Sequence, residues 1–185
     1  MAISVIIAIP LGVLAAVHKN TPLDAFAQSI ALFGQSIPSF WFGIILIWIF
    51  AVTLGWLPTS GDGTVRHLLL PAIAIAWFQI SAMTRLTRSA MIEILERRHV
   101  VAARALGLSE PRILFGHALP NAMGPALTVI GLSFAYALTG AVLVEIIFAW
   151  PGLGRYVSEA ILAKDFPVIA AVTMVVTICY VVMNL

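Results

Sequence analysis

Five stretches without a charged side chain alternate with four polar intervals along the 185 residues: Met1–Val17, Ala25–Gly61, His67–Thr84, Ile113–Val144 and Phe166–Leu185. A helix needs about 20 mostly apolar residues to cross a bilayer, so the pattern predicts membrane helices joined by polar connectors; the first stretch is slightly short. Ala25–Gly61 is 37 residues, about 55 Å as a helix, which exceeds a hydrocarbon core of about 30 Å. It is expected to form one tilted helix kinked at Ser36-Ile37-Pro38-Ser39, because Pro38 removes a backbone donor. A hairpin there would move Lys19 to the opposite side from the arginine cluster. Trp41 and Trp48 lie inside this stretch, and Trp56 near its end suits an interfacial anchor.

Composition agrees. The chain is 62% hydrophobic and 10% charged with mean hydropathy +1.07, whereas soluble domains are about 45–50% apolar and roughly 25% charged. The expected fold is all-α, a polytopic helical bundle in a lipid bilayer, one domain over 1–185. Cationic side chains gather on the cytoplasmic side of membrane proteins. Lys19, Arg85, Arg88, Arg97, Arg98, Arg104 and Arg112 share one side if each stretch crosses once, leaving Arg66, Arg155 and Lys164 on the other. That predicts about five crossings, with Met91–Arg112 in the cytoplasm. Met1–Val17 has no basic leader and no small-residue cleavage site after it, so it does not read as a signal peptide. The single Cys179 forms no internal disulfide, and no basic tract points to nucleic acid.

Met91–Arg112 holds 7 of the 18 charged side chains: Glu93, Glu96, Arg97, Arg98, Arg104, Glu110 and Arg112. Ser89–Ala105 favours helix, Gly107 is suited to end it in a left-handed turn, and Ser109 and Pro111 are suited to open a second helix. Leu119-Pro120 then re-enters the apolar zone. Helix, turn, helix on the membrane surface is a docking surface for a soluble partner. On the opposite side Glu145 is expected to sit at the interface and cap or pair locally, with Arg155 as the candidate partner. Trp150-Pro151-Gly152-Leu153-Gly154 forces a turn, and Tyr156–Ala163 can follow as a short outer helix.

Chemistry is sparse. Gln28, Gln35, Gln79, Ser81 and Tyr136 suit interhelical hydrogen bonds. Gly124, Gly131, Gly140, Ala126, Ala135 and Ala137 suit close helix packing. The histidines do not cluster at ligand spacing, so no metal site is expected. There is no phosphate-binding G-x-x-x-x-G-K-[ST], no G-x-S-x-G, no H-E-x-x-H and no facing aspartate pair. An intramembrane enzyme therefore lacks catalytic residues. An ion-driven secondary transporter lacks the expected mid-span ionisable groups.

The loop resembles the cytoplasmic signature loop of ABC importer permeases, with Ala102, Ala103, Gly107, Leu119 and Pro120 at matching positions. Val101 stands where that pattern has Glu, and His117 where it has Ile. Ser36-Ile37-Pro38-Ser39-Phe40-Trp41, Gly55-Trp56-Leu57-Pro58, Leu70-Pro71-Ala72, Arg85-Leu86-Thr87-Arg88 and Ala103–Glu110 are similar to the dipeptide/oligopeptide branch. Glu145–Gly154 is the most specific block. The resemblance implies the type I importer transmembrane domain and an inner-membrane permease. Val101, Ala102, Ala103, Arg104 and Gly107, with Leu119 and Pro120, would form the ATPase-coupling loop. Glu145, Trp150, Pro151, Gly152 and Gly154 would form an outer segment facing a substrate-binding protein. It implies two ATP-binding subunits, a second homologous permease, no cofactor on this chain, and di- or oligopeptide cargo, with nickel chelates or glutathione as alternatives. It also implies an additional N-terminal helix and a longer C-terminal end than are present here.

Overall fold

Helix is the regular structure of the computed structural model, which describes residues 1–124, 127, 130, 131 and 141–184; no strand occurs among them. The chain divides into two compact units, residues 1–36 with 79–130, and residues 37–78 with 131–185. Tyr136, Ala126, Ala135, Ala137 and Gly140 lie outside the described residues.

The first unit is organised by small residues. Helix α1 (Ala2–Val17) buries Ser4, Ala8, Gly12, Ala15 and Ala16, and the four-residue spacing puts Ser4, Ala8, Gly12 and Ala16 on one face. That face lies on the second half of α4 (Val65–Leu95). A Cβ on Gly12 would sit 2.7 Å from Thr87 Cβ and 2.8 Å from the Thr84 carbonyl, so the two backbones meet only because Gly12 has none. Ser4 Oγ donates to Gln79 Oε1 at 2.9 Å across the same seam. Helix α2 (Pro22–Ser36) follows a tight turn in which Asn20 has φ 64°. Asp24 in its first turn is buried and pairs with Arg88 of α4. Gln28 donates to the same carboxylate, so both Gln28 and Gln79 serve structural hydrogen bonds.

The second unit contains α3 (Ser39–Leu46), which continues as a π-helix over Ile47–Thr53, and the first half of α4. It also holds α7 (Val142–Ile147), α8 (Leu153–Leu162) and α9 (Phe166–Asn184); α5 (Arg98–Ala105) and α6 (Glu110–Ile113) belong to the first unit. Leu46, Leu70, Ala74, Val144 and Phe148 form its core, and Phe42 stacks on Trp77 at 4.7 Å.

Two helix boundaries differ from expectation. The stretch Ala25–Gly61 is not one kinked helix: α2 ends at Ser36 and α3 starts at Ser39, with Pro38 extended at φ −59°, ψ 137°. Proline disfavours the helical region for Ile37 before it, and this suffices to separate the two. Likewise Ser89–Ala105 is interrupted at Glu96-Arg97, where Arg97 is extended at ψ 147°.

Among the described residues, Val65–Leu95 alone is long and apolar enough to cross a membrane; Pro22–Ser36 with Ser39–Thr53 qualifies if the broken pair is one span. Ala2–Val17 and Phe166–Val182 are apolar but shorter. The exterior carries many large apolar side chains, Ile6 (70% exposed), Phe26 (67%) and Trp48 (65%) among them. An apolar surface of that extent belongs against lipid or protein rather than water.

Candidate functional site

The polar loop is built on the first unit. Helix α5 (Arg98–Ala105) and α6 (Glu110–Ile113), which continues through a π-turn at Leu114–Ala118, are held by their inner sides. Val100, Ile113 and Ala118 share one buried cluster with Ala16 of α1 and with Met91 and Ile94 of α4. Ala103, Leu108 and Leu119 pack against it, half-buried. The loop is therefore anchored at intervals along its length, through Val100 and Ala103 of α5, Leu108 of the turn, Ile113 of α6, and Ala118 and Leu119 beyond it.

Its other side is free. Val101 is 53% exposed and Leu106 81% exposed, and Ala102, Ala105 and Pro120 are exposed beside them. Gly107 has φ 80°. Its N–H bonds the Arg104 carbonyl at 2.9 Å, and the Leu108 N–H bonds the Ala103 carbonyl at 3.2 Å. This is the two-bond Schellman closure, which satisfies the last carbonyls of α5 and requires a left-handed residue at Gly107. Arg104 braces the turn rather than standing free in solvent: its Nε and Nη2 donate to Glu110 Oε1 and Oε2 at 2.7 and 3.2 Å. That hydrogen bonding holds the Glu110 carboxyl below the usual carboxylate range and raises Arg104. Ser109 occupies the cap position of α6, but its side chain makes no capping hydrogen bond.

Of the residues expected on the outer face, Gly152 and Gly154 pack against the Glu145 carboxylate. Helix α7 ends in a second Schellman closure, with Ala149 at φ 50°, Ala149 N–H on the Ile146 carbonyl at 3.1 Å and Trp150 N–H on the Glu145 carbonyl at 2.8 Å. The chain then turns through exposed Pro151 and half-buried Trp150 and Gly152. Glu145 Oε2 accepts the Arg155 backbone N–H at 2.9 Å, satisfying one of the orphan donors that open α8. A Cβ on Gly152 would collide with that carboxylate, and one on Gly154 would lie 2.6 Å from Val142 Cγ2. Glu145 thus caps α8. It forms no ion pair with the Arg155 side chain, whose Nε goes to Glu159 at 2.8 Å and Nη1 to the Ala149 carbonyl at 3.0 Å. Pro151, Gly152, Leu153, Arg155, Tyr156 and Glu159 line an open groove of about 620 Å³.

Among the described residues no group of three or more His, Cys, Asp and Glu could hold a metal ion. What the sequence did not announce is the Asp24–Arg88 pair, whose members are 64 positions apart. The only sequence signal was two unlike charges, each beside an apolar stretch.

An all-α protein that exposes many large apolar side chains, with a polar loop anchored on one side and exposed on the other, suits a membrane setting. The chain belongs to the family described as binding-protein-dependent transport system inner membrane component, whose sequence signature matches residues 8–185. That is a family of membrane transport components rather than of enzymes. The chain is 39% identical over 193 residues to the oligopeptide transport system permease protein AppB of Bacillus subtilis (strain 168), covering 99% of this chain and 61% of that one. It is 39% identical over 201 residues to the di/tripeptide transport system permease protein DppB of Pseudomonas aeruginosa (strain UCBPP-PA14), covering 94% and 60%. With the glutathione transport system permease protein GsiC of Escherichia coli (strain K12) it shares 37% over 185 residues, covering 100% and 60%. The chain thus spans about three fifths of the length of these relatives.

Proposed function

We propose that the chain is the membrane-spanning permease subunit of an ATP-driven, binding-protein-dependent importer of di- and oligopeptides, working by alternating access. The observation that carries this reading is the loop formed by α5 and α6. Its inner side is locked into the cluster of Ala16, Met91, Ile94, Val100, Ile113 and Ala118, while Val101, Ala102 and Leu106 are left bare. A surface fixed from beneath and apolar above is suited to receive a push. The sequence has no phosphate-binding loop, so the push comes from two separate ATP-binding subunits. Val101, Ala102, Ala103, Arg104 and Gly107, with Leu119 and Pro120, form the coupling loop. Val101 in place of a carboxylate makes that contact apolar rather than ionic.

A second homologous permease completes the pathway. A substrate-binding protein delivers cargo to the outer segment of Glu145, Trp150, Pro151, Gly152 and Gly154. The chain is multi-pass in the inner membrane, with five crossings and residues 91–112 cytoplasmic. A cysteine at position 98 in a Cys179-free background should resist an impermeant thiol reagent added from outside, and labelling there would reverse the topology. Peptide cargo is supported by the names of the oligopeptide and di/tripeptide relatives.

The test is purification of the assembled complex, reconstitution in vesicles and uptake of labelled peptide. Uptake should require ATP, the ATP-binding subunits and the binding protein. Peptide transport by this chain without ATP-binding subunits would refute the proposal.

A further inference from the structure

The first unit contains a buried ion pair that the coupling loop does not include. Arg88 Nη2 donates to Asp24 Oδ2 at 2.6 Å and Arg88 Nε donates to Oδ1. The side chains are 2% exposed for Asp24 and 17% for Arg88. The Asn20 N–H reaches Oδ2 at 2.9 Å and Gln28 Nε2 reaches Oδ1 at 3.2 Å. Four donors therefore converge on one carboxylate. They come from the α1–α2 turn, from α2 and from the C-terminal part of α4. Thr21 closes the turn from the other side, its Oγ1 donating to the His18 carbonyl at 2.6 Å.

The end of α1, which leads into that turn, touches the loop. Ala16, at the end of α1, lies in one cluster with Val100 of α5 and Ile113 of α6, and Val13 packs against it. Lys19 pairs with Glu96 at 2.7 Å, but both side chains are well exposed, at 43% and 65%. An exposed pair of this kind contributes little. A buried bidentate pair is different, because separating its members leaves an uncompensated charge out of water. We infer that Asp24 and Arg88 are positioning residues for energy coupling: they make the α1–α2 turn and α4 move as one body, so that a displacement of α5 reaches α2 instead of being absorbed at the turn. This rests on the permease reading above and adds to it the route by which the loop acts.

The experiment uses the whole reconstituted complex and measures peptide taken up per ATP hydrolysed. Asp24→Asn keeps the shape and removes the charge. It should lower that ratio about tenfold or more while ATP hydrolysis continues, and Glu96→Gln should leave the ratio within about twofold. The exchanged pair Asp24→Arg with Arg88→Asp should regain part of the ratio lost by Arg88→Asp alone. As a check independent of charge, Asp24→Cys with Arg88→Cys in a Cys179→Ser background should be uncoupled, and a short bifunctional thiol reagent should restore uptake per ATP. A merely structural pair would lower assembly without changing the ratio. An unchanged ratio in Asp24→Asn, or no recovery on bridging, overturns the inference. If the unmodified complex moves no peptide on ATP hydrolysis, the permease reading falls instead, and that outcome is distinct from an unmodified complex that transports alongside an Asp24→Asn complex equally well coupled.

Discussion

Single residues decide the turn between α7 and α8. Glu145 accepts the Arg155 N–H, and the backbone at Gly152 passes so close that a methyl group would occupy the carboxylate's place. Gly152 has φ −116°, so the constraint is contact and not backbone conformation. Gly152→Ala should therefore cost about 1–3 kcal/mol, the usual range for overpacking. It should loosen α8 first, seen as faster proteolysis of the segment 150–165. Adding Glu145→Ala removes the overlap and should return part of that protection. If Gly152→Ala alone is as resistant as the unmodified chain, the carboxylate does not sit over the turn. Local rules foretold that Glu145 would cap or pair locally, with Arg155 as the candidate, because a carboxylate near membrane depth is costly unless satisfied. They did not foretell that the partner is the backbone of Arg155, since its guanidinium was the more obvious choice and is taken by Glu159.

At the scale of elements, the α1–α4 seam leaves no room for a side chain at Gly12. Ser4, Ala8, Gly12 and Ala16 make a flat face, and Gly12 meets both Thr87 and the Thr84 carbonyl at less than 3 Å from a notional Cβ. Small residues let helices approach in lipid, where water supplies no driving force between them. Gly12→Leu should thus cost about 1–3 kcal/mol or more. Gly116, whose Cβ would meet nothing within 4 Å, should accept Ala with little change. Comparing detergent thermal stability of the two variants checks this; equal stability would mean that the seam is not close-packed. The existence of α1, the turn at Gly107 and a short helix after Trp150–Gly154 were legible in the sequence, because hydrophobic runs and Gly-Pro punctuation act locally; that helix begins at Leu153 rather than Tyr156. The division at Ser36-Ile37-Pro38 was read as a kink, since one proline permits either a bend or a stop and only tertiary packing chooses. The π-helical turns at Ile47–Thr53 and Leu114–Ala118 carry no sequence signal that distinguishes them from α-helix. The Asp24–Arg88 pair depends on which faces of α2 and α4 meet, which periodicity alone does not fix.

For the whole molecule, the account makes the polar loop the point where work enters the membrane. Gly107 is central because α5 ends in a left-handed residue at φ 80°, a conformation that costs a side chain with a Cβ roughly 1–2 kcal/mol. No atom crowds the position, so a substitution there strains the turn without disturbing the helices beneath. The decisive measurement is substrate-stimulated ATP hydrolysis and peptide uptake, recorded together in vesicles carrying the assembled complex with Gly107→Val. The expected result is that the membrane helices stay folded, while ATP is hydrolysed without uptake or the ATP-binding subunits are lost on purification. Hydrolysis and uptake both at the unmodified level would show that the loop is only a connector, and would contradict the account.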